Sequence, residues 1–345
     1  MTTIRPKLFI SVSICFALLA IVLVLCVVKG TSHIPLQSVL GILYAKAGLG
    51  TAHGASGADE IILLDVRLPR VLLASIVGGG LAIVGCVMQA IFKNPMAEPG
   101  VLGWSSGGGL AAVIIIYTGL AQEYFFSLPA AAFLGTLLSA FIVYRIASQN
   151  GYTPSSTLLL SGIAVGAFFT ALTTLVLTMA NVWSMREMLF WIMGGFDSSS
   201  WAHVMIAFPP VIIGSAGIML YARDLNAVLL GEESAKTVGV DVGKTKTRLI
   251  VLSSLVVGAC VSVSGVIGFV GLIVPHIMRL IVGADHRVLL PVSFLTGASF
   301  LAIADLVART ALSPEEIRLG IITSLVGVPF FLYLLRKNRG RLGGI

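Results

Sequence analysis

Two glycine-rich stretches decide how this chain folds: GGGLAIVGCVMQAIFKNPMAEPGVLG, residues 78–103, and GACVSVSGVIGFVGLIVPHIMRLIVG, residues 258–283. Four residues of the first stretch recur 180 positions later in the second: Gly78 as Gly258, Gly85 as Gly265, Pro95 as Pro275 and Gly103 as Gly283. One match would be chance in a chain with 38 glycines, but four matches at one offset favour an internal repeat. The repeat predicts a single domain, residues 1–345, built from two related halves at about residues 1–181 and 201–345.

The composition places both stretches in a lipid bilayer. Of the 345 residues, 57% are hydrophobic and 11% are charged, whereas a soluble domain has about a quarter charged residues. The net charge of +7 does not indicate a nucleic-acid partner, because the basic residues are scattered between apolar runs. The four cysteines lie inside those runs without C-x-x-C spacing, which indicates small apolar side chains and not metal ligands or disulfides.

Ten apolar runs predict an all-α polytopic membrane protein, since about 20 apolar residues cross a bilayer as a helix. The runs cover residues 8–28, 68–92, 98–118, 126–148, 155–181, 201–222, 246–267, 269–284, 288–308 and 315–336. The first run follows Arg5 and Lys7 as in a signal peptide, but its length and the lack of a cleavage site predict a retained helix. A shorter aromatic segment, REMLFWIMGGF at residues 186–196, is predicted to lie at the interface or to re-enter the membrane.

Lysine and arginine predict the orientation of these spans. With a cytoplasmic N-terminus, fifteen of the 22 basic residues fall on the cytoplasmic side and seven fall outside, which is the usual bias of membrane proteins. Both termini are therefore predicted to be cytoplasmic. The two copies of the repeat then begin in spans of opposite direction, which predicts an inverted repeat of the kind found in transporters.

A stretch before the seventh span, TVGVDVGKTKT at residues 237–247, resembles a phosphate-binding loop. Its glycines at 239 and 243 are separated by three residues where a Walker A loop has four, so we expect no nucleotide on this chain. The preceding residues 225–240, LNAVLLGEESAKTVGV, can form two short helices with one apolar side. That side either enters a groove on a partner or packs against the chain's own helix ends, and length and composition favour neither.

Motifs along nearly the whole chain resemble the FecCD-type permeases of ABC importers, which take up ferric siderophores, haem and vitamin B12. The motifs are RLPRVLLASIVGGGLAIVGCVMQAIFKNPMAEPGVLG, FWIMGGF, LLGEESAKTVGV, GFVGLIVPHIMRL, DHRVLLP, ADLVART and IRLGIITSLVGVPFFLYLL. The resemblance implies a type II importer subunit of ten helices, similar to the vitamin B12 permease, in the bacterial inner membrane. It implies a dimer with a second copy or a close paralogue, two cytoplasmic ATPase subunits that hold ATP and magnesium, and a periplasmic or lipid-anchored binding protein.

The resemblance also implies where these partners bind. Residues 225–240 would be the coupling helices in the ATPase groove, with the contact at Leu229, Leu230, Gly231, Glu232, Ala235, Val238 and Gly239. Arg67, Arg70 and Arg309 are predicted to lie outside and would dock acidic residues of the binding protein. The residues alone also allow these arginines to reach lipid headgroups, and allow Arg309 to pair with Asp305 one helical turn before it.

A cytoplasmic gate is implied near KNPMAEPG, residues 93–100, where two prolines break the helix. Irregular backbone in a membrane is tolerated only inside protein or beside a water-filled path. The resemblance places the gate at Asn94, Met96, Ser155 and Ser156, and a pathway along the fifth span that includes Gly162 and Gly166. The residues alone also allow the two serines to be N-caps and the glycines to serve helix packing.

The predicted function is import of a ferric chelate, a siderophore complex or haem, with vitamin B12 as the alternative. An ion-coupled secondary transporter is a remote alternative, because such proteins usually have ionisable residues deep in their spans, where this chain has mostly Ser, Thr and Gln89. A membrane enzyme would need clustered ionisable groups. His276 and His286 have no such cluster around them in the sequence, and no metal site is predicted.

Overall fold

A computed structural model describes residues 4–32, 34–46, 56–148 and 153–342. The first three and last three residues, which bear on the predicted location of the termini, lie outside this range. The described residues form sixteen α-helices and one isolated bridge between Leu312 and Glu315. The helices are α1 Ile4–Val28, α2 Leu36–Lys46, α3 Gly57–Ile61, α4 Leu68–Ile91, α5 Trp104–Tyr117, α6 Leu120–Glu123, α7 Ser127–Ala147, α8 Ser155–Met179, α9 Val182–Ile192, α10 Trp201–Leu220, α11 Ala222–Leu229, α12 Glu232–Thr237, α13 Val242–Ser264, α14 Val270–Val282, α15 His286–Thr310 and α16 Leu319–Leu342.

The ten predicted spans are confirmed. Seven helical segments in the described residues are long and apolar enough to cross a membrane, and three shorter apolar helices complete the set. The seven are α1, α3 to α4 taken together, α7, α8, α10, α13 and α15, and the three are α5, α14 and the first part of α16. Each overlaps one predicted run, so the protein is an all-α polytopic membrane protein.

Three elements differ from the sequence prediction in length or number. The second span begins about ten residues early, because a π-helical turn, Ile62–Arg67, joins α3 to α4 without a break. The third span is short, because residues 92–103 form loop and a single 3-10 turn, Pro99–Leu102, before α5 begins. Pro95 and Pro99 interrupt the helix in this loop, because proline lacks the N–H that a continuing helix needs. Helix α2 was not predicted, since its 11 residues are too few to span.

Helix α4 lies at the centre of the bundle, with 22 of its 24 residues buried. It crosses α15 where Gly78 meets Gly297: a Cβ added to Gly297 would lie 2.5 Å from the Gly78 carbonyl oxygen. It crosses α14 where a Cβ on Gly85 would overlap the backbone of Gly271. Backbones approach this closely only at small residues, as is typical of helix contacts in membranes.

The two halves of the chain pack in corresponding ways. Helix α4 contacts α15 and α14, and α13, its counterpart in the second half, contacts α7 and α5. Helix α5 contacts α7 and α8, and α14 contacts α15 and α16. The 180-residue offset itself holds only in part: Gly78 and Gly258 lie inside α4 and α13, but Gly103 precedes α5 whereas Gly283 follows α14.

Candidate functional site

The predicted pair of short helices is present as α11 and α12, a tip at one end of the bundle. Gly231 separates them with a φ of 122°, a backbone conformation that side chains strongly disfavour. Gly239 ends α12: it adopts a φ of 85°, and the N–H of Val240 bonds to the Ala235 carbonyl, the C-cap geometry known as a Schellman motif. Both glycines therefore lie at helix boundaries.

The sequence left two alternatives open for the apolar side of this tip: packing against the chain's own helix ends, or entering a groove on a partner. The structure agrees with the first for one part of this side and leaves the other part exposed. Ala235 is buried with Val228 and Val242, and Leu229 packs on the main core, so this part covers the chain's own helix ends. Leu230 and Val238 point away and are 78% and 70% exposed. The base of the tip is fixed, and its two outermost apolar side chains are uncovered.

The stretch at residues 237–247, which resembles a phosphate-binding loop, contains the N-terminus of α13. Asp241 is the N-cap of α13, where its side chain accepts a hydrogen bond from the Lys244 N–H at 3.1 Å and an ion pair from the Lys244 ammonium at 3.0 Å. The backbone hydrogen bond, followed by the Lys244 side chain, lowers the pKa of the Asp241 carboxyl below its ordinary value. The two lysines of GKTK differ sharply: the Lys244 side chain is 73% exposed and that of Lys246 is 3% exposed.

The predicted gate residues lie at the same end of the bundle, where α4 ends and α8 begins. Asn94 is exposed, and its side-chain oxygen accepts the N–H of Met96 at 2.9 Å, which shapes the turn after α4. Ser155 donates to the carbonyl of Ile91, the last residue of α4, at 3.0 Å. The interpretation of Ser155 and Ser156 as N-caps is wrong, because Pro154 is the N-cap of α8 and no side chain caps this helix.

Gly162 and Gly166 are buried inside the bundle. A Cβ on Gly162 would lie 2.7 Å from Leu102 Cα, and one on Gly166 would lie 3.1 Å from Gly103 Cα. The two glycines therefore let α8 approach the turn before α5, as the packing alternative predicts.

The irregular loop before α5 also contacts the start of α14. The side chain of Glu98 accepts the N–H of Phe269 at 3.0 Å. Phe269 is the N-cap of α14 and has a φ of 69°, and its ring fills the space that a Cβ on Gly327 would need. One carboxylate thus joins the loop to the break between α13 and α14, a link that the sequence analysis did not anticipate.

Three arginines at the opposite end of the bundle are buried, contrary to the exposure that their predicted docking role requires. Arg67, Arg70 and Arg309 are 3%, 8% and 4% exposed. Arg70 pairs with Asp305 and with Glu316, both at 2.9 Å.

The other two arginines bind groups of the first helix. Arg67 donates to the carbonyls of Val27 and Val28 and to Ser32. Arg309 donates to the carbonyl of Cys26 and lies 3.6 Å from Asp305, so the pairing within α15 is present. The cluster fastens α1, α4, α15 and the loop before α16 to one another. Neither docking nor contact with lipid headgroups is open to these side chains in this conformation.

An apolar groove of about 710 Å³ runs along α16 and opens to the surface. Its lining comes from the end of α9, the break between α13 and α14, and one side of α16: Ile192, Met193, Val266, Gly268, Gly320, Ile321, Ser324, Leu325, Val328 and Pro329. Three of these lining residues, Ile321, Leu325 and Val328, form an exposed apolar stripe at helical spacing together with Leu332. This side of the molecule offers a surface to lipid or to another protein.

These features can be compared with known proteins. The sequence profile of the FecCD transport family matches residues 18–337, nearly the whole chain. The chain belongs to the FecCD transport family. The resemblance inferred from the motifs is thereby confirmed.

Relatives in this family are permeases. A cobalamin import system permease protein of Halobacterium salinarum is 49% identical over 289 residues, covering 84% of this chain and 77% of the relative. A hemin transport system permease protein of Yersinia pestis is 41% identical over 290 residues, covering 82% and 85%. A solved structure described as an inward-facing metal-chelate type ABC transporter matches with a TM-score of 0.78 and 31% identity, covering 94% of this chain and 99% of that one.

The FecCD protein described here is therefore a multi-pass membrane protein and a permease subunit of an ABC importer. Sequence reasoning missed two of its polar contacts, Lys246 with Glu232 and Glu98 with Phe269. A lysine at the first position of the predicted run 246–267 was the available signal for the first, and a glutamate between two prolines for the second.

Proposed function

We propose that this permease moves a metal chelate across the bacterial cytoplasmic membrane as half of a dimer driven by two separate ATPase subunits. The observation that carries the proposal is the α11–α12 tip, which leaves Leu230 and Val238 uncovered on a fixed base. An apolar tip of this kind suits a hydrophobic groove on a partner protein. In this proposal the partner binds ATP and magnesium, and this chain holds no cofactor.

The second copy, or a close paralogue, faces α16. The exposed stripe on α16 borders the groove of about 710 Å³, so a copy placed against it turns the groove into a pathway enclosed by two chains. Lipid covers the other exposed apolar faces. More basic residues are predicted on the side that carries α11 and α12 than on the opposite side. This bias supports a cytoplasmic location for the tip and for both termini.

The relatives support the proposed substrate class. The cobalamin permease is 49% identical and the hemin permease is 41% identical over similar lengths, so cobalamin is the first chelate to test. Haem and ferric siderophores, which the breadth of the family favoured in the sequence analysis, are the second candidate. All three are large metal chelates, and none of the described side chains distinguishes among them.

Delivery by a periplasmic or lipid-anchored binding protein belongs to the same proposal. Its contact with Arg67, Arg70 and Arg309 needs a rearrangement, because Asp305 and Glu316 already occupy Arg70. Glu316 is the more exposed of these two acids, at 34% of its side chain. An acidic residue of the binding protein would replace Glu316 first.

A co-purification experiment tests the coupling role. Replacing Leu230 with serine removes the most exposed apolar side chain of the tip, and we expect the ATPase subunit to be lost from the purified complex. The matched control is Leu134→Ser, at a residue of α7 that is 62% exposed, and it should retain the subunit. Equal recovery of the ATPase with both variants would refute the assignment.

An uptake experiment tests the transport role and the substrate. The permease with its co-purified ATPase is reconstituted into proteoliposomes with ATP, and uptake of cobalamin, haemin and a ferric siderophore is measured with the binding protein present. We expect ATP-dependent uptake of one chelate. Uptake driven by a proton or sodium gradient without ATP would favour the secondary transporter instead.

A further inference from the structure

Lys246 is a buried ammonium group between the coupling tip and the gate. Its side chain is 3% exposed, although it lies only two residues from the exposed Lys244. Its Nζ lies 2.6 Å from Oε1 of Glu232, the first residue of α12. The same Nζ donates to Oγ of Ser155, the first residue of α8, at 3.2 Å.

The contacts continue from Ser155 into the centre of the bundle. The Ser155 hydroxyl donates to the carbonyl of Ile91, at the end of α4. A continuous series of hydrogen bonds therefore joins four elements: α12, then Lys246 on α13, then the start of α8, and then the end of α4. The irregular loop of the gate, with Asn94 and Met96, begins directly after Ile91.

The physical chemistry of a buried ammonium makes this series sensitive to movement. A buried charge is tolerated only while its partners remain in place, because its lost hydration must be replaced by ion pairing and hydrogen bonds. If α12 shifts relative to α13, Lys246 either moves with Glu232 and pulls on Ser155, or loses a partner inside the protein. Both responses alter the contact that holds α8 to α4.

We infer that Lys246 is the positioning residue that transmits movement of the coupling helices to the gate at the start of α8. The inference rests on the proposed function, since it requires an ATPase that moves the α11–α12 tip. It assigns to Lys246 a role different from that of Lys244, which only closes the first turn of α13 with Asp241.

The test separates ATP hydrolysis from transport in the reconstituted complex. Lys246→Met is compared with Lys246→Arg, which keeps the charge, and with Lys244→Met on the same helix. We expect Lys246→Met to hydrolyse ATP at a rate within about twofold of the wild-type rate. We expect it to transport about tenfold less chelate per ATP than wild type, which corresponds to a typical coupling free energy between two sites. Lys246→Arg should recover most of the loss, and Lys244→Met should show none.

A second variant keeps the inference testable if Lys246→Met does not fold. Glu232→Gln preserves the shape of the partner and removes its charge, so it should also lower transport per ATP. A spectroscopic readout distinguishes coupling from simple support: spin labels at Ser156 and Lys236, both exposed, report the distance between α8 and α12 with and without ATP. We expect this distance to respond to ATP in the unchanged protein and not in Lys246→Met.

The outcomes are distinct. Unchanged transport per ATP in Lys246→Met and Glu232→Gln, or an ATP-dependent distance change that persists in Lys246→Met, overturns the inference. Transport and hydrolysis falling together with loss of the ATPase subunit also overturns it, since Lys246 would then only support the tip. Failure of the unchanged complex to bind an ATPase or to take up any chelate refutes the proposed function instead.

Discussion

Asp305→Asn tests the buried charge cluster most directly. Asp305 is 1% exposed and lies between two guanidinium groups, at 2.9 Å from Arg70 and 3.6 Å from Arg309. Asparagine has nearly the same shape, so the substitution removes a charge without leaving a cavity. After it, Arg70 retains Glu316 and Arg309 retains the carbonyl of Cys26.

The magnitude follows from the geometry. At the 2.9 Å separation of Arg70 and Asp305, and with an effective dielectric constant of about 20, the attraction is about 6 kcal/mol. Burying the Asp305 carboxylate costs more desolvation free energy than burying an asparagine amide. We take this cost to offset about half of the attraction. We therefore expect the free energy of unfolding to fall by about 3 kcal/mol, at the lower edge of the losses measured when one member of a buried pair is removed.

Reversible unfolding in mixed micelles, followed by tryptophan fluorescence, measures this loss. The matched control is Glu316→Gln, which removes the other acid bound to Arg70 from a side chain that is 34% exposed. We expect it to cost about 1 kcal/mol or less, as for pairs near the surface. A loss below about 1 kcal/mol for Asp305→Asn, or equal losses for the two variants, would show that the cluster does not hold α4 and α15 together.

Two further predictions concern packing and pH. Gly297→Ala places a Cβ 2.5 Å from the Gly78 carbonyl oxygen, so it should lower the free energy of unfolding by about 1–3 kcal/mol; Gly268→Ala, where no atom lies within 4 Å of the added Cβ, is the control in the same unfolding assay. Hydrogen bonds from Arg287, and then from the Asn226 amide, hold the pKa of the Asp285 carboxyl below its ordinary value. Because the folded pKa is the lower one, the stabilisation is present at neutral pH and is lost as the pH falls below about 4, through the ordinary aspartate range and beyond. Asp285→Asn should therefore flatten the dependence of stability on pH in this acidic range, and an unchanged pH profile would contradict this assignment.

The spans and the coupling tip were predictable because their signals are local. Apolar runs of the right length give the ten spans whatever their neighbours are, and Gly231 and Gly239 mark helix ends by their own backbone preferences. The irregular backbone at residues 93–103 was equally visible, since Pro95 and Pro99 act on adjacent residues. Such features depend on neighbours within a few positions along the chain.

Apart from the Arg309–Asp305 pair within α15, the contacts of the charge cluster and those of Lys246 with α8 could not be predicted, because the partners are distant in sequence. Arg70 and Asp305 are 235 residues apart, and Lys246 and Ser155 are 91 residues apart. An arginine near the end of a span looks like an exposed loop charge until the fold supplies the acid beside it. Helix α2 was missed for a different reason: an apolar segment of 11 residues has no distinctive signal for its location.

The central position of α4 has a consequence for how the protein is made. Ribosomal synthesis delivers α4, with Arg67 and Arg70, to the membrane long before α15 brings Asp305, 235 residues after Arg70. During that interval the arginines have no acidic partner from α15, and the face of α4 around Gly78 lacks Gly297 of α15. Until α15 is inserted, we therefore expect the first half of the chain to be loosely packed in the bilayer, with the arginines near the aqueous surface. The packing of α4 against α15 is completed only when α15 is inserted, so truncation before α15 should yield a chain that is degraded and not a stable half.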